Sequence, residues 1–310
     1  MAMFKKPTQI IVLADKIASI FSKHAENNGI LSKIDSIVED NKHKKNFSEI
    51  SINPLKGELS NFDWQVLTAA IAQQQAGNEY TSAAILYAAM GGNETHLTAS
   101  KKKEILKSVE RLMHTEFIYR VNKTVLKEKT KWTEKGETKI VEGGIRSYLL
   151  PAEIVEEKIN GQLTRDAIKF IKPSPLFEVA EFKNQLERID AELLKVPQLN
   201  CTTATVNLRF ELVNLIVRQR RMQKQRLQSA KRNKKRNKPV QVAEYLQINL
   251  ANLFKRCGLS TAKEKHTKFR NHITKILNHF QKLGFITEWH FGKTGHAFTH
   301  ICFNVDIVTK

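Results

Sequence analysis

The most regular apolar pattern in the chain lies near its C-terminus. Apolar side chains recur there at the spacing of one helix face: Phe269, Ile273, Ile276, Leu277, Phe280 and Leu283. Thr261 and Glu264 form a capping box ahead of this pattern, and Gly284 follows it where a C′ glycine ends a helix. The pattern predicts an amphipathic helix. Its outward face is polar and carries no acidic residue after Glu264.

The flanking segments predict the other parts of a winged helix-turn-helix domain. Residues 242–250 and 250–257 predict two shorter helices before the capped helix. Residues 285–291 and 298–307 predict two strands joined by the turn Gly292-Lys293-Thr294-Gly295, because apolar and polar residues alternate along the second of them. Two helices, a capped third helix and a hairpin follow one another in the order that a winged helix requires.

A second unit with the same plan is predicted over residues 59–150. Ser60 and Asp63 begin a helix, residues 82–90 predict a second, and Thr98 caps a third. The third helix carries one apolar face, formed by Ile105, Val109, Leu112 and Met113. Phe117–Val121 is predicted as a strand with partners in residues 140–149. The basic stretch Lys127–Lys139 between them is predicted as a long wing.

The remaining segments predict an N-terminal appendage and a helical connector. In residues 1–58 a helix capped by Thr8 is expected, followed by loops. In residues 151–238 a helix is expected from Pro151 to Ile159, and prolines then interrupt the chain. A long helix over residues 200–222 follows and runs into a basic segment. The predicted fold is α+β and mainly helical, with two winged helix-turn-helix domains (59–150 and 239–310) joined by this connector.

Charge points to a polyanionic partner. The 310 residues carry a formal net charge of +20, and Arg218–Lys238 contains eleven Lys or Arg in twenty-one residues without an acid. A block of like charge repels itself, and beside a predicted DNA-reading domain the DNA backbone is the polyanion it would bind. The structural alternative is a solvated linker. The candidate phosphate contacts in this basic segment are Arg218, Arg220, Arg221, Lys231, Arg232, Lys234, Lys235 and Arg236.

Catalytic, metal and cofactor motifs are not found in the sequence. The three cysteines are far apart, which argues against a disulfide framework or a zinc finger and suits the cytoplasm. Gly292-Lys293-Thr294 lacks the glycine that a phosphate-binding loop needs at position 287, which is threonine. A metal site is not predicted at His290, His296 and His300, because they lack the cysteine or carboxylate partners that such a site would require. The sequence therefore predicts no catalytic residue, no metal and no cofactor, and it shows no apolar stretch long enough for a membrane.

Order and spacing of these elements resemble the theta-type plasmid replication initiators, which bind repeated origin sequences called iterons. The segment Lys172–Gln223 resembles their connector. It shares a Ser-Pro-Leu-Phe motif, a Leu-x-x-Pro stretch (Leu194–Pro197), an Asn-Thr-like cap and a long helix that ends in basic residues. His272–Trp289 is similar to their final helix and strand. The resemblance covers residues 60–310 and is absent before them. It implies replication initiation without nucleotide hydrolysis, with double-stranded origin DNA, a host initiator and the replicative helicase as partners.

The resemblance also implies roles for individual residues. The third helix of the second domain would read the DNA repeat through its outward residues Lys268, Asn271, Thr274, Lys275 and Asn278. The first domain would contact the DNA backbone and dimerise, and the matching basic positions are Lys103, Lys107 and Arg111. Lys293 in the turn of the second wing is a further candidate DNA contact. Monomeric and homodimeric active forms both stay open.

Two other functions use the same sequence features. A transcription regulator with two winged helices would rely on the same DNA-binding chemistry. A nicking or strand-transfer enzyme would need a metal site and an activated tyrosine, and no His-x-His pair occurs in the chain to supply the metal. The connector motif favours replication over regulation.

Overall fold

The computed structural model describes residues 9–13, 48–121, 144–159, 162–177, 186–234, 246–259, 263–294 and 297–304. Helices and small antiparallel sheets alternate along the chain, which confirms the predicted α+β class. The buried apolar residues form one continuous cluster that runs from Ile52 to Phe303. Among the described residues, no helix is both long and apolar enough to cross a membrane.

The first unit contains the three predicted helices and a three-stranded sheet. Its helices are α1 (Asn61–Gln75), α2 (Ala83–Ala89) and α3 (Ala99–Met113). Its sheet contains β2 (Ser48–Pro54), β4 (Thr115–Val121) and β5 (Gly144–Tyr148), in the order β2-β4-β5. The predicted wing, Lys127–Lys139, lies outside the described residues.

The predicted caps of this unit are present. The Ser60 hydroxyl accepts from the Asp63 amide, and the Asp63 carboxylate accepts from the Ser60 amide, so the capping box at the start of α1 is complete. Thr98 accepts from the Lys101 amide at the start of α3. Of the four side chains expected inside α3, Ile105, Val109 and Leu112 are fully buried, and Met113 is half-buried.

Two expectations for the N-terminal segment are wrong. Residues expected to begin a helix capped by Thr8 form β1 (Gln9–Leu13), which pairs antiparallel with β8 (Leu186–Asp190). β2 also falls in the segment where only helix and loop were expected. In β1 the run Ile10-Ile11-Val12 is β-branched, and such residues favour strands.

The helix expected from Pro151 to Ile159 is also wrong. These residues form β6 (Ala152–Ile159), which pairs antiparallel with β7 (Gln162–Phe170), and β3 (Tyr80–Thr81) pairs with the other edge of β7. Asn-Gly is the dipeptide best suited to a two-residue hairpin turn, and the sequence between these strands is Asn160-Gly161. The sequence therefore contained a hairpin signal. The segment whose apolar spacing suggested a helix is too short for that spacing to distinguish a helix from a strand.

The second unit has the predicted third helix and a hairpin, but its beginning differs from the prediction. The predicted cap, Thr261, lies outside the described residues, and residues 292–294, predicted as the turn, belong to the first hairpin strand. It contains β9 (Leu246–Asn249), α5 (Leu250–Arg256), α6 (Lys263–Lys282), β10 (Glu288–Thr294) and β11 (Ala297–Asn304). Its sheet has the order β10-β11-β9. The helix expected over 242–250 is wrong for its last residues, because Leu246 and Ile248 alternate with exposed or half-exposed neighbours as in a half-buried strand.

A single long helix is shared by both units. Helix α4 (Thr203–Lys234) begins close to the predicted start but continues past residue 222 into the basic segment. Its first half is buried at Leu208, Leu212 and Ile216, and it packs against α1, α5 and α6. In the second unit α4 packs against both α5 and α6. The connector is therefore part of both hydrophobic cores.

Two buried polar residues fix α4 in place, and one of them joins the two units. The amide of Asn207 accepts from Gln65 of α1 (2.7 Å) and donates to the Cys257 carbonyl at the end of α5 (3.0 Å). The guanidinium of Arg209 is fully buried. It donates to the carbonyls of Thr205, Gly91 and Leu194 and to the Cys201 sulfur. These bonds satisfy buried donors and acceptors, which would destabilise the folded protein if they had no partner.

The turn after α2 must carry glycine for this arrangement to form. Gly91 has a φ of 86°, and a Cβ there would lie 2.1 Å from the Leu194 carbonyl oxygen and 2.8 Å from Arg209 Nη1. Neither neighbour can move freely, because one is backbone and the other is held by four hydrogen bonds. Gly258 has a similar φ of 65° but open space around the added atom.

We expect Gly91→Ala to destabilise the protein more than Gly258→Ala. Both variants place a side chain in the left-handed region, which costs about 1–2 kcal/mol. Only Gly91→Ala adds an overlap with packed atoms, worth a further ~1–3 kcal/mol. Urea denaturation of both variants measures the difference in the free energy of unfolding. Equal losses would show that the contact with Leu194 and Arg209 does not constrain the turn.

Candidate nucleic-acid interface

Helix α6 presents a polar face outward. Phe269, Ile273, Ile276, Leu277 and Phe280 point into the core, and the residues on the opposite side stay accessible. The exposed residues of α6 on that side are Thr267, Lys268, Asn271, Lys275, Asn278 and Lys282. Thr274 is half-buried. Of the five predicted reading residues, four are therefore exposed on one helix, and they combine amide and ammonium groups that suit base edges and phosphates.

The hairpin borders one edge of this face. Asn278 Oδ1 accepts from Trp289 Nε1 (3.1 Å), and Gln281 Nε2 donates to the Thr287 carbonyl (2.9 Å). The guanidinium of Arg270 lies 5.0 Å from the centre of the Phe298 ring. These contacts tie the hairpin segment to α6 at Arg270, Asn278 and Gln281. One acceptor of Asn278 is thus used inside the protein.

The connector borders the other edge. Lys275 Nζ donates to the Gln198 carbonyl (3.2 Å), and His279 Nε2 lies 2.9 Å from the Glu192 carbonyl. Gln198 has a φ of 55°, an uncommon value for a residue other than glycine. Lys275 remains exposed. To contact DNA it would exchange this carbonyl for a base or phosphate, whereas Asn271 lies between the two edges.

The basic residues of the first unit differ in what they contact. Lys103 and Lys107 are exposed on α3. Arg111 instead binds the buried carboxylate of Asp63 through Nε (3.1 Å) and Nη2 (2.6 Å). The same carboxylate accepts from Ser60 in the capping box. Removal of Arg111 would leave a buried charge without its cation, so a loss of function in an Arg111 variant would report instability as well as any DNA contact.

Part of the basic segment is tied to the second unit. Arg220 donates to the Phe285 carbonyl, and its guanidinium lies 4.2 Å from the centre of the Phe285 ring. Arg218 is exposed and Arg221 is half-buried. Lys231, Arg232 and Lys234 lie on α4, but their side chains are outside the described part of the chain, as are Lys235 and Arg236 altogether. The helix itself continues through Lys234.

Several residues predicted to contact DNA thus form hydrogen bonds or ring contacts within the protein. The sequence did not reveal these contacts. Lys275 and Gln198 are 77 positions apart, and Arg111 and Asp63 are 48 apart. Arg270 was not singled out, although it lies beside the hairpin. Within the ranges that the structure describes, no three His, Cys, Asp or Glu side chains converge as a metal site requires.

The electrostatic field of the α6 face acts on His272. Partial burial, together with the positive charges of Lys268 and Lys275, holds the pKa of His272 below its usual 6.5. The neutral form is therefore favoured in the folded protein. Below about pH 6.5 the unfolded chain binds more protons at this residue than the folded chain does, so its contribution to stability is lost as the pH falls through that range.

We expect Lys268→Ala to raise the pKa of His272, because one of the two nearby cations is removed. Lys282→Ala is the control, since Lys282 is exposed on the same helix but is not among the charges that lower this pKa. An NMR titration of the His272 ring, assigned with His272→Gln, measures both variants. If the pKa of His272 in Lys268→Ala equals the wild-type value, the charge of Lys268 does not contribute to lowering it.

Comparison with known proteins gives no family assignment. No family model matches the chain, and no curated protein matches it. Among solved structures, the crystal structure of RctB domains 2-3 matches with a TM-score of 0.41 and 12% sequence identity, over 83% of this chain and 87% of that chain. A structure of SeMet derivatives of the same domains matches with a TM-score of 0.39 and 12% identity, over 84% and 87%. Similarity at this level does not establish a common fold.

Proposed function

We propose that this chain binds double-stranded DNA sequence-specifically through α6. The observation that carries the proposal is the exposed face of α6, where Lys268, Asn271 and Lys275 stand between the wing and the connector. A helix of 20 residues is about 30 Å long, and the major groove is wide enough to admit one. An amide such as Asn271 pairs with adenine, and a lysine with guanine or a phosphate.

Charge supports the same partner. The chain has a formal net charge of +20, and Lys103, Lys107 and Lys293 are exposed in addition to the cations of α6. Phosphate contacts by such residues release counterions and supply affinity without sequence information. Base contacts by α6 would supply the specificity.

We further propose that the chain initiates replication of a plasmid or mobile element. The support is the resemblance of Lys172–Gln223 and His272–Trp289 to iteron-binding initiators, together with the order of the two units. In this proposal the protein binds origin repeats, promotes melting, and recruits a host initiator and the replicative helicase. In this proposal the protein acts without a catalytic residue, metal or cofactor of its own. A homodimer is compatible with the proposal but not required by it.

Specific reading is tested first. A duplex that binds tightly is selected from a random pool, and Asn271→Ala is then titrated against it and against random duplex at one salt concentration. We expect a loss of about 1–3 kcal/mol on the selected site and a smaller loss on random duplex, because a base contact specifies and a phosphate contact does not. Lys275→Ala should show the same pattern of losses. Its loss on the selected site should be smaller by the hydrogen bond to the Gln198 carbonyl, which the wild-type lysine gives up on binding.

Gln281→Ala is the matched control for Asn271→Ala. It removes an amide from the edge of α6 that faces the hairpin, where Gln281 bonds to the Thr287 carbonyl. Discrimination between the two duplexes should be unchanged in this variant. Equal losses on selected and random duplex in Asn271→Ala would mean that α6 does not read sequence.

Melting distinguishes initiation from regulation and from strand cleavage. We expect the protein to expose unpaired thymines in an AT-rich segment beside its binding sites on supercoiled DNA, without ATP hydrolysis and with host factors present. Permanganate footprinting detects them. Supercoiling is needed because strand separation costs roughly 1–2 kcal/mol per stacked step. Specific binding without melting would favour a transcription regulator, and a nick or a covalent adduct would favour an enzyme.

A further inference from the structure

Two cations from different elements lie close to one exposed aromatic ring on the wing. The Phe298 side chain is 38% exposed at the start of β11. The guanidinium of Arg270 on α6 lies 5.0 Å from the centre of its ring, and Lys293 Nζ on β10 lies 4.9 Å from it. Both separations are within the range of a cation–π interaction. Two residues 23 positions apart in sequence (293 minus 270) are thereby brought to one ring.

A β-bulge produces this meeting. Gly292 pairs with His300, and a regular antiparallel register would then place Lys293 opposite Thr299. The register shifts between Gly292 and Lys293, so that Lys293 pairs with Phe298 instead. A bulge of one residue redirects side chains at the point where it occurs. Lys293 and Phe298 are therefore direct cross-strand neighbours.

The ring is also anchored to α6. Phe298 contacts Phe291 (5.7 Å between ring centres), and Phe291 contacts Trp289 (5.3 Å). Trp289 in turn donates to Asn278 of α6. This row of three aromatic rings fixes the wing against the helix. The cation from the helix and the cation from the wing therefore both lie within 5.0 Å of the centre of a ring that is itself held against α6.

The two cations lack an anionic partner in the part of the chain that the structure describes. Arg270 donates to the Thr267 hydroxyl (3.2 Å), and neither Arg270 nor Lys293 forms an ion pair with a carboxylate among the described residues. Two like charges held at one ring repel each other. An anion between them would remove this repulsion and accept hydrogen bonds from both, as a phosphate oxygen does from arginine and lysine.

We propose that Arg270 and Lys293, positioned by Phe298, clamp one backbone phosphate of bound DNA. This inference rests on the proposed DNA binding by α6. Arg270 directly precedes Asn271 in the sequence and lies on the side of α6 that faces the wing. The walls of the groove that α6 would enter are the phosphate backbones. Asn271 would face the bases, and Arg270, about 100° around the helix toward the wing, would face the groove wall. The clamp would fix how deeply and in which orientation α6 enters.

The test combines protein variants with DNA in which single phosphates are neutral. Methylphosphonate is placed at each phosphate of the selected duplex in turn, and the affinities of wild type, Arg270→Ala and Lys293→Ala are measured. We expect one position at which neutralisation weakens wild-type binding about tenfold. Both variants should be insensitive to neutralisation at that same position. Lys282→Ala, an exposed lysine of α6 away from the ring, should retain full sensitivity.

The role of the ring is tested separately. Phe298→Leu keeps an apolar side chain but removes the ring, and we expect a loss of DNA affinity of about two- to fivefold. Phe298→Tyr keeps the ring and should bind like wild type. On random duplex, Arg270→Ala and Lys293→Ala should each flatten the plot of log affinity against log salt by about 1, because a phosphate contact is lost whatever the sequence.

The outcomes separate this inference from the proposed function. If Arg270→Ala and Lys293→Ala remain sensitive at every phosphate, or lose sensitivity at different ones, the clamp is wrong while DNA binding stands. If α6 fails to discriminate sequences but the salt plots flatten as expected, the clamp is supported and sequence-specific reading is wrong. If the wild-type protein binds no duplex, both are wrong.

Discussion

The buried guanidinium of Arg209 holds together the segments on which the placement of α6 depends. It bonds to the turn after α2, to the carbonyl of Leu194 and to the sulfur of Cys201, and so fixes the chain that leads into α4. A fully buried cation is stable only when its donors are satisfied. Here backbone carbonyls do most of this, which means that the surrounding backbone must keep one conformation. Gly91 is part of that requirement.

The position of α6 follows from α4. Asn207 joins α4 to α1 and to the end of α5, and an ion pair between Glu211 and Arg256 joins α4 to α5 again. The connector loop before α4 then reaches α6 through Gln198 and Glu192. The exposed face of α6 is therefore bounded by the wing on one side and by the connector on the other. That boundary determines which of its residues can face a ligand.

Helices with both a cap and several turns of apolar periodicity could be predicted from the sequence. Helices α1, α3 and α6 are of this kind, because a capping box or an N-cap residue and an apolar face are local features. The short strands β1, β6 and β9 were predicted as helices or parts of helices. In four to eight residues the two periodicities are poorly distinguished, and strand pairing such as Gln9–Leu13 with Leu186–Asp190 depends on residues far away in sequence.

The candidate site was predictable to the same extent. The outward face of α6 followed from its apolar face, so Lys268, Asn271 and Lys275 could be named. Which cations are engaged elsewhere could not be predicted, since Asp63 holds Arg111 and Gln198 holds Lys275 over long sequence separations. Arg270 was overlooked because its significance comes from a register shift in a hairpin. Sequence alone does not specify where a β-bulge occurs.

The sharing of α4 between two cores has a consequence for cooperativity. When two units each bury their own apolar residues, one can unfold while the other persists. Here the residues that complete the second unit lie on the helix that also packs on α1, and the buried apolar cluster is continuous. Loss of either unit would expose one side of α4 to water. We therefore expect both units to unfold in one transition, so that a substitution deep in the first unit would lower the population of folded α6 without any change in its surface.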